Sequence, residues 1–274
     1  MYHYVREFSD DIPFLRFLHL NDFKKQLDIF QKQYNFPSKA EIQAYFGGDT
    51  AAIPSDKPNM LLTFDDGLAD HYHYVLPELK RRGLWGIFYI NSGPYEEALG
   101  EKLVGVHEIH LLLGRYGGER VLARAQDIIK SEWVSESLVS EFEEITYTMQ
   151  KNTAATTQVK KLLNYFLKPE HREQVLYDLM ADFFPDGSAA IAKSWYMTQK
   201  QLQSMHEAGM WLGAHSRTHP VIGTLDPEEQ ANQILECFTV LESLLQPAEA
   251  PLRTFAYPYG GKGSYSPVTF KANL

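Results

Sequence analysis

Leu61-Leu62-Thr63-Phe64-Asp65-Asp66-Gly67 is a short apolar run that ends on two adjacent carboxylates and a glycine. Its β-branched and aromatic residues suit a packed, pleated environment, Pro58 and Asn59 mark the entry, and Gly67 permits a sharp exit. The run therefore predicts a buried strand with Asp65 and Asp66 at its C-terminal end. In folds with parallel strands this is where ligands and reacting groups collect, because the loops vary while the sheet holds their roots still. Taken alone, Asp-Asp-Gly also describes an ordinary solvated turn.

A second stretch, Gly213-Ala214-His215-Ser216-Arg217-Thr218-His219-Pro220, follows Met210-Trp211-Leu212, which reads as another short strand. Two imidazoles four residues apart can hold one metal ion if they share a helical turn or flank a tight loop. Combined with a strand-end Asp-Asp they make a two-histidine, one-carboxylate set with a spare acid. One carboxylate would complete the metal site and the other would act as a base toward water.

With these stretches in place, the chain resembles the polysaccharide deacetylase family, also called the NodB-homology or carbohydrate esterase 4 family. Thr63-Phe64-Asp65-Asp66-Gly67 is similar to its first motif and His215-Ser216-Arg217-Thr218-His219-Pro220 to its second. Phe255-Ala256-Tyr257-Pro258-Tyr259-Gly260 resembles its third, with Ala256 where the family usually carries an arginine that pairs with the base. Met1-Tyr2-His3-Tyr4-Val5 resembles the first strand of members from cell-surface polysaccharide synthesis clusters. The resemblance implies a distorted, incomplete (β/α) barrel and a hydrolase of non-peptide C–N bonds. It implies Asp65 as catalytic base and Asp66, His215 and His219 as ligands of one divalent metal, commonly zinc, with cobalt, nickel and manganese as alternatives. Tyr257, Pro258 and Tyr259 would line the acetate and sugar pocket, and the Tyr259 N–H would help stabilise the oxyanion. The family's later Leu-x-His motif, whose histidine is the general acid, finds no match after Gly260.

Composition agrees with an α/β class. A chain of 274 residues, 44% of them hydrophobic, can bury a full core, so a single domain over 1–274 is expected. A formal net charge of -9 excludes nucleic acid and anionic membrane as default partners, whereas a neutral acetylated sugar is compatible with it. The single cysteine, Cys237, has no internal disulfide partner. No signal peptide precedes the first strand and no apolar run reaches ~18 residues, so a cytoplasmic location is expected.

Periodicity supplies the rest. It predicts a helix over 21–34 with Phe23, Leu27, Phe30 and Tyr34 on one stripe, then one opened by the capping spacing Ser38-x-x-Glu41. A helix capped by Asp70 is expected to run to Arg82, with Pro77 in its first turn or kinking it. His71 and His73 would lie at the surface or the substrate rim. Trp85–Ile90 reads as a parallel strand. Residues from about 96 to 195 read as a long helical insertion, with helices near 104–114, 119–130, 135–149, 155–167 and 170–183, covering the barrel or forming a lid or interface. His107 and His110 inside it are expected to be structural or exposed, although a replacement general acid from within the chain would be sought there. Thr198-x-x-Gln201 and Asp226-Pro227 open two further helices, and Arg253–Tyr257 is a strand. About five strands leave a sheet edge for the insertion or a second copy to cover.

The expected activity is metal-dependent removal of N-acetyl or O-acetyl groups from a sugar or polysaccharide. The competing expectations are a sugar- or metal-binding homologue without turnover and an amidohydrolase of small non-sugar amides.

Overall fold

The computed structural model describes residues 1–99, 102–245, 253–261 and 263–265. Every pairing between its named strands is parallel. β1 (Val5–Arg6) pairs with β2 (Leu18–His19), while β3 (Thr63–Phe64), β4 (Ile87–Ile90) and β5 (Trp211–Ala214) form a second sheet in the order β3-β4-β5. Single parallel bridges extend the series at both ends: Tyr2 pairs with Phe64, and Ala214 with Phe255. The result is one curved parallel array, β2-β1-β3-β4-β5 and then Phe255. Because all its segments run the same way, the chain ends that follow β3, β5 and Phe255 emerge on one edge. Arg253–Tyr257, expected as a strand, contributes only the Phe255 bridge among the described residues. The expected Trp85–Ile90 strand begins only at Ile87, and Trp85 just before it donates its indole N–H to Pro37 O at 2.8 Å.

Helices cover the array where the sequence stripes require. α1 (Leu20–Gln33) buries Phe23 and Leu27, and Phe23 packs edge-on against Phe64. α2 (Lys39–Phe46) opens with the reciprocal Ser38/Glu41 capping box. α3 (Leu76–Arg82) is preceded by a π-turn over His71–Val75. Pro77 lacks an N–H and its ring would clash with the carbonyl four residues back, and the wider turn relieves both problems. Asp70 therefore makes no capping bond; it pairs with Arg6 at 3.0 Å. His71 corrects the expectation of a rim position: it is fully buried and its Nε2 lies 2.9 Å from His3 O, whereas His73 is exposed.

The connection from β4 to β5 holds α4 (Gly105–Tyr116), α5 (Gly118–Ile128), α6 (Glu136–Phe142), α7 (Ala154–Lys161), α8 (Pro169–Phe183) and α9 (Ala189–Trp195) before α10 (Gln199–Glu207). The expected 135–149 helix stops at Phe142, and the 155–167 helix widens into a π-turn over Leu162–Phe166. α11 (Pro227–Leu245) follows β5 and buries Ile234, Cys237, Phe238 and Leu241.

Two large apolar clusters result. One joins Phe64, Phe88, Ile90, Leu202, Leu212 and Phe238 under the sheet. The other joins Ile109, Leu112, Val121, Leu163, Leu179 and Trp195 within the insertion, and takes in Tyr4 and Leu68 from the sheet side. The insertion thus has a core of its own and docks along the edge where the motifs emerge. No helix among the described residues is long and apolar enough to cross a membrane.

Candidate active site

At the end of β3 the pairing with the N-terminal strand continues one residue further, Asp65 N–H donating to Tyr2 O at 2.9 Å. The chain then breaks away. Asp66 has φ 83° and Gly67 φ 65°, and a Cβ on Gly67 would approach Ile90 Cγ2 to 3.3 Å. Aspartate is among the few non-glycine residues that enter the left-handed region readily. Here that turn delivers two neighbouring carboxylates into a buried position, Asp65 3% and Asp66 2% exposed.

β5 delivers the imidazoles by the same device. His215 N–H donates to Ile90 O at 2.9 Å, after which Ser216 (φ 66°) and His219 (φ 59°) fold the chain into a tight loop. The loop is fixed by His219 N–H donating to Ser216 Oγ at 3.1 Å and Asn91 Nδ2 donating to His215 O at 2.6 Å. Arg217 ties it outward to Glu96 and Glu236. The His-x-x-x-His spacing is therefore that of a loop, one of the two arrangements the sequence allows. Beside it the third segment approaches closely enough that a Cβ on Gly213 would meet Thr254 Oγ1 at 2.5 Å.

His215 and His219 both present Nε2 to Asp66 Oδ1, each at 3.4 Å. These three ligand atoms lie within 4.8 Å of one another, and all three residues are buried. Asp66 Oδ1 has no hydrogen-bond partner, an expensive state for a buried carboxylate oxygen. Donors ~2.1 Å from a tetrahedral centre stand ~3.4 Å apart, so the spacing and the orphaned oxygen both fit a divalent cation. His215 Nδ1 lies 2.8 Å from Ala256 O, which fixes that nitrogen as the N–H donor and leaves Nε2 with its lone pair. The third segment thus orients the ligand through its backbone, which an alanine supplies as well as an arginine.

Burial alone would raise the Asp66 carboxyl, yet His107, His215 and His219 outweigh it and hold it well below the usual carboxylate range. Burial pushes His219 down to about 4. His215 also suffers from burial but is raised, because the Asp66 and Asp65 carboxylates and the Ala256 carbonyl favour its proton. Burial raises Asp65 despite His215 and His3.

His107 corrects the sequence expectation. It is fully buried, its Nε2 stands 3.3 Å from Asp66 Oδ2, and it comes from the first turn of α4. His110 is structural, its Nδ1 3.0 Å from Tyr4 Oη. A second residue missed in the sequence is His3, whose Nε2 lies 3.9 Å from Asp65 Oδ2 and whose side chain is 42% exposed. The Tyr2–Phe64 bridge puts it there, since a parallel neighbour of Phe64 is followed by a neighbour of Asp65.

Among the third-segment residues, Tyr259 (φ 65°) sets its ring edge-on to His219, centroids 4.9 Å apart, and donates its hydroxyl to Asn164 Oδ1 at 3.0 Å. Asn164 belongs to the π-turn after α7, and it also binds Tyr147 Oη and Arg172. Pro258 is buried beside Tyr259, while Tyr257 turns away to pack against Phe255 and Tyr265. Five non-glycine residues among those described have positive φ. Asp66, Ser216, His219 and Tyr259 belong to the site, and Tyr147 is joined to Tyr259 through Asn164, two hydrogen bonds away. Strain of this kind persists only where the surroundings over-determine it.

Residues 176–272 match the family profile described as polysaccharide deacetylase, which takes in the second and third motifs. The fold of the whole chain is similar to that of Streptococcus pyogenes deacetylase PplD, solved in complex with acetate. The match has TM-score 0.53 and 16% identity, and it covers 99% of this chain and 76% of that one. It is also similar to IcaB from Ammonifex degensii, with TM-score 0.50, 18% identity and the same coverage of 99% and 76%. None of the curated proteins matches it in sequence. The parallel array with its flanking helices is accordingly a distorted (β/α) barrel of the NodB type.

Proposed function

From the match of residues 176–272 to the polysaccharide deacetylase profile and the geometry of the site, we propose a metal-dependent hydrolase of that family that removes acetyl groups from an amino sugar or acetylated polysaccharide. The observation that carries this reading is the convergence of Asp66 Oδ1 with the Nε2 atoms of His215 and His219, from segments about 150 residues apart in the sequence, at the same 3.4 Å separation.

A divalent cation on these three side chains, zinc before cobalt, nickel or manganese, would polarise the acetyl carbonyl and acidify neighbouring water. Asp65 is the base: it adjoins the ligand carboxylate, and its buried Oδ1 has no hydrogen-bond partner, so it is free to accept the proton of the attacking water. Breakdown of the tetrahedral adduct breaks the C–N bond, and the departing nitrogen needs a proton. His3 faces Asp65 from the exposed side at 3.9 Å and is the imidazole available there to give it, in the role the insertion was expected to fill. One water is consumed, and acetate and an amine leave. The Tyr259 N–H contributes to stabilising the oxyanion. Pro258 and Tyr259 form the wall beside the acetyl group, with Tyr257 further out.

Acetate release from N-acetylglucosamine oligomers by the zinc-loaded chain tests the proposal. Activity is expected in the native sequence and is expected to be lost in Asp65→Asn with zinc content unchanged. Sugar binding without acetate release in the native sequence would instead identify a non-catalytic binding protein, and release from small amides alone would identify the amidohydrolase.

A further inference from the structure

One buried polar group at the site has no place in that chemistry. His107 is fully enclosed, and its Nε2 has no hydrogen-bond partner although it stands 3.3 Å from Asp66 Oδ2. Its other nitrogen is firmly held. Tyr196 Oη lies 2.7 Å from His107 Nδ1 and accepts the Val104 N–H at 3.0 Å. The Val104 bond uses an oxygen lone pair and leaves the tyrosine O–H to donate. Tyr196 is buried, so that hydrogen needs an acceptor, and His107 Nδ1 is in reach. Nδ1 is then the lone-pair nitrogen, and the ring hydrogen sits on Nε2, the nitrogen that stands 3.3 Å from Asp66 Oδ2.

The two oxygens of Asp66 consequently face different neighbours: Oδ1 faces the Nε2 atoms of His215 and His219, and Oδ2 faces His107. His107 stands outside the three-residue group whose ligand atoms all fall within 4.8 Å. The geometry points to His107 as a positioning residue: through the chain Val104 N–H, Tyr196 O–H, His107 Nε2–H, it holds Asp66 Oδ2 so that Oδ1 remains the metal-binding oxygen. This inference rests on the reading of Asp66, His215 and His219 as metal ligands. Its consequence is that the helical insertion completes the metal site. His107 and Val104 belong to the start of α4, and Tyr196 follows α9, so the two ends of the insertion meet behind the Asp66 carboxylate.

The test is the zinc affinity of the metal-free full chain, measured by competition with a chromogenic chelator for the native sequence, His107→Leu, His107→Gln, Tyr196→Phe and His215→Ala. Cobalt absorption spectra accompany it. His107→Leu fills the space without a donor and is expected to bind zinc about 10 to 100 times more weakly, the range found when the group supporting a metal ligand is removed. His107→Gln places an amide N–H where Nε2–H was and is expected to recover most of that loss. Tyr196→Phe, which frees the imidazole to change tautomer, should weaken binding in the same direction and carries the test if His107→Leu fails to fold. The cobalt spectrum should be the same in all these variants, because the ligands are the same. Undiminished zinc affinity in His107→Leu or Tyr196→Phe, with His215→Ala still losing metal, overturns this inference alone. Equal losses in the Leu and Gln variants mean packing, and a changed cobalt spectrum makes His107 a ligand; either result overturns it. No zinc binding by the native sequence overturns the metal reading and this inference with it.

Discussion

The sheet half of the molecule and its helical insertion contribute to the site in opposite ways. The sheet supplies the proposed reacting groups from strand ends: Asp65 and Asp66 after β3, His215 and His219 after β5, Tyr259 after the Phe255 bridge. Each lies in a short contiguous stretch whose chemistry shows in the sequence. The insertion supplies the surroundings, His107 behind Asp66 and Asn164 over Tyr259, from helices whose sequences carry no motif. Reactive groups at a strand end are local features, whereas their supports come from wherever the fold brings a side chain close.

The largest difference between the halves is expected from the ligands. His215→Ala removes one of the three proposed metal-binding atoms and should abolish both zinc retention and acetate release, read by elemental analysis and an acetate assay. Retained zinc in that variant would break the division at its root. Next comes the base: Asp65→Asn should lower turnover by about 10²- to 10⁴-fold or more with zinc content unchanged, as expected for loss of general base catalysis. Residual activity within twofold of native would move the base elsewhere.

On the insertion side the effects should be smaller and indirect. Asn164→Ala frees the Tyr259 hydroxyl and leaves a buried polar cluster unpaired, so about 1 to 3 kcal/mol of stability should be lost in denaturant unfolding. Zinc affinity should not change, because Asn164 hydrogen-bonds Tyr259, Tyr147 and Arg172 rather than Asp66, His215 or His219. Loss of zinc binding in Asn164→Ala would show the halves to be less separable than described. At the far end, Ser38→Ala removes one arm of the α2 capping box. It should cost about 1 kcal/mol with native zinc binding and activity, since α2 packs its buried Ile42 against Ile87 and Trp211 rather than against the proposed ligands.

pH sharpens the same comparison. In the metal-free protein burial opposes the His215 proton, but Asp66, Asp65 and Ala256 favour it and raise the imidazole above its ordinary value. Protons and zinc compete for that nitrogen, so zinc affinity should fall as pH drops from 7 toward 5, and zinc binding should release protons. Isothermal titrations in buffers of different ionisation enthalpy would show it, and a pH-independent affinity would argue against His215 as a ligand.

What the sequence disclosed follows from range. The α1 stripe and the Ser38 and Thr198 capping boxes are local patterns, and they appear as read, whereas the apolar strand runs pair over fewer residues than their sequences suggest. The motif triad was legible because each residue type is informative at a strand end. The π-turn before α3 was only half legible: Pro77 announced a disturbance in the helix without saying that the turn would widen. His107 lies on the apolar stripe of an amphipathic helix, which signals burial but not a partner 41 positions upstream. His3 could have been placed: pairing the opening strand in parallel beside Phe64 puts it next to Asp65, and only the register was missing.

The central claim is that Asp66, His215 and His219 hold one cation. Anomalous diffraction at the zinc edge, from crystals of the full chain grown with zinc, tests it most directly. The account predicts a single strong peak ~2.0–2.2 Å from Asp66 Oδ1 and from Nε2 of both histidines. A map with no peak between those three side chains, at full zinc supply, would contradict it.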